Sequence, residues 1–574
     1  MRYRIVFFLL IIPAFLYSQE LVQINPSQAE GFPISNVSIV LVINEQEQAA
    51  NESETNDFYK AFGIKPNAAF NQSVMDMAVK RILEEPNVTS AVYSVYNTNI
   101  NSPVEIKLVI NLTDEHKGEK VPKEKKGMAS SKSLDDFPVL FETSRSKVQF
   151  IFNGAIGTYN ESNAFFSKGS EFTQGNPVAT EPAGKGVTYW GEAYIEPGLA
   201  GITQFGKGRN YVYGAFSVLV SGRNTTDIYS EGSALFTDIE RLYGGFLFTG
   251  LGPDKDLNID LSAGRNFFQL NDGFLIAKFS GSANAGERGS VYLNSRTAFE
   301  KTALLTIHKN RFNFKGFFLE PEELFPDKQS NTRYLGGSLN YNNNKNIDIG
   351  LSYIDVIGGT TIYTASSELI PKKGMYIINP RIWLTNLGNT GIFVKSEYAY
   401  QSHTSGDMSA DAWYIGAGIA TKWKGNPTFY YRYASMEGDD ENSATYERFD
   451  PILTGGLGNW VQGINFRKVI GNGNIVSHRI EIKGKLSEKW DLTFDYFSLR
   501  ADELNNKGGL APISNLNAKD FGQEYTLNTR YFIGKHFMLM GLLSYAQPGD
   551  AIKKAFDDSI YSWTSVQCSL FMFF

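Results

Sequence analysis

The chain closes on SVQCSLFMFF, Ser565–Phe574. Counting back in twos from the terminus gives Phe574, Met572, Leu570, Cys568 and Val566. The alternate set is Phe573, Phe571, Ser569, Gln567 and Ser565. One face is wholly apolar, and the other turns polar away from the terminus. A period of two belongs to a β-strand. A buried strand of a soluble core shows the same pattern, so the rest of the chain has to separate the two.

The alternation recurs from about Phe137 to the end. KVQFIFNG sets Val148, Phe150 and Phe152 against Gln149, Ile151 and Asn153. VTYWGEAYI sets Val187, Tyr189, Ala193 and Ile195 against Trp190, Glu192 and Tyr194. LNIDLSAG, IDIGLSY, HRIEIKGKL and EYTLNTRY repeat it, broken by Gly, Asn, Asp and Ser clusters that read as turns. Aromatics gather near the strand ends on the apolar side, as a membrane interface requires and a water-washed sandwich does not. About 440 residues, at roughly 24–27 per strand and connection, imply 16–18 antiparallel strands closed into a barrel.

Composition agrees. The 574 residues are 42% hydrophobic and 14% aromatic, with 54 glycines. The mean hydropathy of −0.24 looks soluble, but a membrane barrel shows lipid only alternate residues. A net charge of −6, from 54 basic and 60 acidic residues, gives no sign of nucleic-acid binding. The one cysteine, Cys568, excludes an internal disulfide and a cysteine zinc site. MRYRIVFFLLIIPAFLYSQE has two arginines, an apolar stretch and small Ser18, the pattern of a secretory signal peptide over 1–18. Cysteine is absent from the cleavage region, which excludes a lipoprotein.

Between about 22 and 115 the pattern changes to strand, helix, helix, strand, strand. NVSIVLVINEQ reads as a strand and DFYKAF as a short helix. FNQSVMDMAVKRILEEP reads as a longer helix, with Asn71 as cap and Val74, Ala78 and Ile82 on one face. SAVYSVYNT and VEIKLVINLTD are strands. This order, with Gly63, Ile64, Phe70 and Val109 in place, resembles a POTRA domain, although Asn67 stands where that family more often has glycine. The resemblance implies a periplasmic α+β module that docks a protein partner. Residues 116–136, with six lysines in HKGEKVPKEKKGMASSKS, read as a tether.

Two further resemblances bear on the barrel. Phe574, with Val566, Leu570 and Met572 before it, resembles the C-terminal signal read by the outer-membrane assembly machinery. It implies that the last strand pairs with the first, near Lys147–Gly154. Gly264, Arg265, Asp272 and Gly273, then Tyr433, Ala434 and Ser435 ahead of an acidic loop, then Phe449, Asp450 and Pro451, resemble alginate-export-type channels. That likeness implies an 18-strand pore with charged walls, but its family is mostly bare barrels. GERGSVYL, Gly286–Leu293, reads as a loop and not as the pore motif of POTRA-bearing secretion barrels.

The chemistry available is an inward set of charges. On or beside the polar faces lie Glu192, Asp260, Arg265, Arg296, Arg311 and Asp348, then Arg432, Arg479, Glu481, Lys483, Glu524 and Arg530. In a wide lumen they select solutes, with arginine favouring anions, or they pair across the wall as a lattice; both readings stay open. The five histidines are scattered; no phosphate loop, zinc spacing or nucleophile elbow appears, and neither catalysis nor a cofactor is expected. Two functions follow. One is an outer-membrane channel of a Gram-negative cell for anionic polysaccharide or small polar solutes, its N-terminal domain in the periplasm. The other is a platform or subunit of an outer-membrane protein assembly or secretion complex. An open lumen favours the first; a lumen filled by Thr173–Lys185 or Glu437–Gly458 favours the second.

Overall fold

In the computed structural model, residues 22–574 are described except for 30–33, 63–69, 98–103, 113–127, 129–136, 174–185, 279–288, 324–329, 364–369, 455–458, 557–559 and a few single or paired positions. The expected signal peptide, most of the tether and the turn holding Gly63, Ile64 and Asn67 lie outside the described residues.

The N-terminal domain is a five-stranded mixed sheet with two helices: β1 (Val22–Ile24), β2 (Ile34–Ile43), β3 (Gln46–Ala49), α1 (Glu52–Phe62), α2 (Gln72–Leu83), β4 (Val88–Asn97) and β5 (Val104–Leu112). The strand order is β1-β4-β5-β2-β3, with β2 parallel to β5. Alternate β5 residues Val104, Ile106, Leu108 and Ile110 are buried against Met75, Ala78 and Ile82 of α2. Asn71 caps α2 by accepting the Val74 N–H at 2.9 Å.

The larger domain is a closed antiparallel barrel of eighteen staves. They are β7 (Ser146–Ser162), β8 (Val187–Phe205), β9 (Asn210–Arg223), β10 (Ala234–Leu251), β11 (Leu257–Arg265), β12 (Lys301–Lys309), β13 (Phe312–Glu320), β14 (Arg333–Asn342) and β15 (Ile347–Gly358), then β18 (Met375–Leu387), β19 (Ile392–His403), β20 (Ser409–Ala420), β21 (Thr428–Met436), β22 (Ile475–Ser487), β23 (Trp490–Arg500), β24 (Asp520–Ile533), β25 (Phe537–Pro548) and β26 (Trp563–Met572). A two-residue hairpin, β16 (Ile362–Tyr363) and β17 (Ile370–Pro371), lies in one connection. Every stave pairs with its sequence neighbour, and β26 closes on β7. The seam runs from Thr564↔Ser162 to Met572↔Gly154, further along β7 than Lys147–Gly154. The short β6 (Val139–Glu142) takes Lys147–Gln149 instead. Phe574 ends the seam, its ring 5.2 Å from Phe137 and stacked 4.4 Å from His536.

Alternate residues explain the closure. Leu199, Phe216, Leu261, Leu351, Ile415, Ile480, Leu527, Leu543 and Val566 face outward and are 40–56% exposed. Rings edge this surface at both ends: Tyr189 and Trp413 at one, Phe312, Trp423 and Trp490 at the other. Such an exterior is stable only in lipid, and a closed barrel leaves no unpaired edge there. Short turns such as 310–311 and 488–489 lie at one end, long loops such as 266–300 and 437–474 at the other. Leu543→Arg, in the middle of β25, is expected to lower the folding free energy in lipid vesicles by about 2–4 kcal/mol, measured by urea titration. An unchanged midpoint would mean that this face does not meet lipid.

The N-terminal domain sits at the short-turn end. Met77 and Val74 leave the helix face that serves the domain core, and Val74 does not share the packing of Ala78 and Ile82. They pack with Ile202, Tyr211, Tyr213 and Leu247, which face the lumen from β8, β9 and β10. Lys147 Nζ reaches Asp76 at 2.6 Å, Lys80 reaches Glu142 at 3.4 Å, and Arg209 donates to the Tyr59 carbonyl at 3.4 Å. The helix thus lies against the barrel's lower mouth.

Candidate functional site: the inner wall and its loops

The described residues of the 266–300 and 437–474 loops turn back into the barrel. Phe274, Leu275, Ile276, Phe449, Leu453 and Trp460 from these loops join one buried cluster with Tyr414, Ala399, Ile354 and Trp563 of the wall. The two loops meet each other where Leu453 N–H donates to Leu275 O at 3.3 Å. GSVYL, the described part of the GERGSVYL stretch, is loop backbone resting on β8 and β9.

Inner-wall carboxylates hold these loops. Glu192 accepts the Tyr292 and Leu293 N–H groups at 2.9 and 3.1 Å. Glu240 accepts those of Thr297 and Ala298 at 2.7 and 2.9 Å. Glu524, fully buried, takes the N–H groups of Ile464, Asn465 and Phe466 and the Ser544 hydroxyl. A carboxylate with several N–H donors is a strong, directional anchor. Gly463 makes the approach possible: it has φ +79°, and a Cβ there would lie 2.4 Å from Glu524 Oε2. Lys468, in the second loop, pairs with Glu161 of β7 at 2.7 Å. Burial pushes its ammonium below the usual lysine range, and Glu161 opposes this.

The twelve residues expected along the pore divide by geometry. Asp260, Asp348, Arg432, Arg479, Glu481, Lys483 and Arg530 lie on the inward face of strands, as do the anchors Glu192 and Glu524. Arg311 does not. Asn310, at φ 53°, ends β12 in a tight turn that leaves Arg311 exposed at the lower rim, its Nη1 3.5 Å from Tyr341 OH. Arg296 is on the first inward loop, bound to Glu322 and lying 4.7 Å from the Phe236 ring. Arg265 ends β11 and pairs with Glu300 and Glu322. Asp260 accepts Tyr213 OH at 2.5 Å.

The lattice and selectivity readings share the wall between them. Arg479 is paired with Glu481 and, at 2.7 Å, Asp495; Lys483 reaches Glu481 at 2.8 Å, and Arg530 reaches Asp491 at 2.8 Å. Arg432, beside Arg479 in register, differs. Its guanidinium lies 4.0 Å from the Trp460 ring centre, and its Nε and Nη2 have no hydrogen-bond partner among the described residues. Arg381 repeats this over Trp383 at 4.0 Å, with Nε and Nη1 unpartnered and Nη2 on Asp348. Lys395 lies 4.8 Å from the same indole ring centre. Asp272 of the first loop faces this arc, held by Trp460 Nε1 at 3.1 Å. Arg381, Lys395 and Trp383 escaped the sequence reading because MYIINPRIWLTNL and IFVKSEYAY are apolar enough to look like ordinary core strands. Above, at the long-loop mouth, Glu437 is pushed up to about 7 by burial and then by Asp411 and Glu447.

No family model and no curated protein matches the chain. Among solved structures, Pseudomonas aeruginosa OccK5 (OpdH) aligns with a TM-score of 0.44 at 11% identity, covering 74% of this chain and 98% of that one. Acinetobacter baumannii OccAB2 gives 0.44 at 10%, covering 75% and 98%. Salmonella typhi OmpF gives 0.35 at 10%, covering 75% and 98%. Likenesses this slight carry no argument about this chain. An eighteen-strand barrel is nonetheless porin-like in size, wide enough for an aqueous path.

Proposed function

We propose that the chain is a non-catalytic channel of a Gram-negative outer membrane, constricted by its own loops and biased toward anionic polar solutes, carboxylated sugars included. The supporting observation is the arc of Arg381, Lys395 and Arg432, in which buried guanidinium nitrogens of both arginines have no hydrogen-bond partner among the described residues. Buried donors of this kind are completed by water or by solute oxygens. Asp272 of the first loop and Glu397, opposite Arg381 in register, also face this arc, their oxygens accepting from Trp460 and from Tyr414. The long-loop end faces outward and the N-terminal domain lies in the periplasm, where a POTRA-like module would meet a partner.

The competing platform reading draws on the inward packing of 437–454, which narrows the lumen. Planar-bilayer recording separates the two. A channel is expected to show discrete openings and an anion-selective reversal potential in a salt gradient, moved toward cations by Arg432→Ala. Absence of openings overturns the channel; a reversal potential unmoved by Arg432→Ala overturns the anion bias.

A further inference from the structure

A cavity of about 520 Å³ opens at the long-loop ends of β12 to β15, lined by Lys301, Glu320, Ser330, Arg333, Ile357 and Lys373 among others. It lies on the outside of the barrel. Thr302 and Tyr334 are buried toward the lumen, so their neighbours Lys301 and Arg333 face away from it. Three cations stand against one lining carboxylate. Lys301, its side chain 63% exposed, bonds Glu320 at 2.7 Å. Neither Arg333 nor Lys373 meets a carboxylate among the described residues. Arg333 lies across Gly358, where a Cβ would come within 2.9 Å of its Nε. Outside the cavity lining, Glu323 accepts the Ser330 N–H and hydroxyl, and Ser330 O accepts the Thr360 N–H at 2.8 Å, so the polar floor is tied down. Ile357, itself in the lining, leads into the lipid-facing surface of Leu335, Tyr353 and Leu351, which are 50%, 48% and 56% exposed.

We propose that this cavity binds the phosphate of a membrane lipid in the leaflet on the long-loop side. The cations take the headgroup, and Ile357 with Leu335 carries the upper acyl chain. Cations just beyond an apolar band are placed for anionic headgroups. A free phosphate would share the cationic chemistry but has no use for the apolar flank. The inference rests on the membrane barrel and on none of the inner-wall residues.

The test is native mass spectrometry of the detergent-purified full chain with phosphatidic acid, with diacylglycerol of the same acyl chains, and with millimolar inorganic phosphate as competitor. Phosphatidic acid is expected to stay bound, diacylglycerol not, and inorganic phosphate not to displace it. Lys301→Ser/Arg333→Ser/Lys373→Ser is expected to lower phosphatidic acid occupancy about tenfold or more. Lys373→Ser, in a loop and without effect on the staves, should lower it alone. Equal retention by both variants overturns the site, and displacement by inorganic phosphate overturns the lipid as its source. Conductance of the same preparations reports the channel separately. A silent barrel that still loses the lipid on mutation leaves this site standing while the channel reading falls.

Discussion

Glu524→Ala is expected to raise the unitary conductance and weaken ion selectivity, because it releases the second inward loop. The carboxylate is fully buried and is the shared acceptor of three consecutive backbone N–H groups, Ile464 to Phe466. Each buried N–H left without an acceptor costs about 1–3 kcal/mol, so three cost about 3 kcal/mol or more. The loop can avoid that cost by swinging toward water, and when it leaves it takes Trp460 off Arg432. Glu524→Gln keeps one acceptor oxygen and should fall between. Gly463→Ala attacks the same contact from the loop side, since the Cβ collides with the carboxylate. Single-channel recording in planar bilayers reads all three. If Glu524→Ala and Gly463→Ala both keep the wild-type conductance, the loop is not what limits the path.

The barrel was legible because lipid imposes a rule that every stave obeys: one face apolar, the next free. SVQCSLFMFF stated that rule and Val566, Leu570 and Met572 follow it on the seam strand. The register on β7 was not legible, because β6 competes for Lys147–Gln149 and nothing in its four residues announces a strand. Parity also assigned side chains to the lumen without saying what meets them there. Glu192 and Glu524 alternate as pore residues do, yet loop backbone from about a hundred and about sixty residues away saturates them. Arg311 has the inward parity of β13 but stands one residue before that strand begins, in the turn made at Asn310. Helix α2 carried a clearer hint: Met77 falls off the Ala78–Ile82 face, and an apolar residue off the core face needs a second surface. Here that surface is the barrel mouth.

Lys468→Met is expected to be the most destabilising single change on the inner wall, because it removes the cation at the point where both inward loops meet the barrel seam. Lys468 and Glu161 have side chains only 3% and 0% exposed. The ammonium lies between the rings of Trp563 on β26 and Tyr292 on the first loop, at 4.7 and 5.0 Å. Glu161, on β7, also accepts Trp563 Nε1 at 2.5 Å and the Ser565 hydroxyl across the seam. Methionine fills nearly the same volume, so packing changes little and the effect is electrostatic. Removing one partner of a buried pair strands the other charge at about 3–5 kcal/mol. The double change Lys468→Met/Glu161→Gln removes both charges and should recover a large part of the loss, since a neutral amide still accepts from Trp563. Thermal loss of the folded band in semi-native electrophoresis measures the order: wild type, then the double variant, then Lys468→Met. A double variant no more stable than the single one would show that the pair is not coupled, and that the seam holds the loops by packing alone.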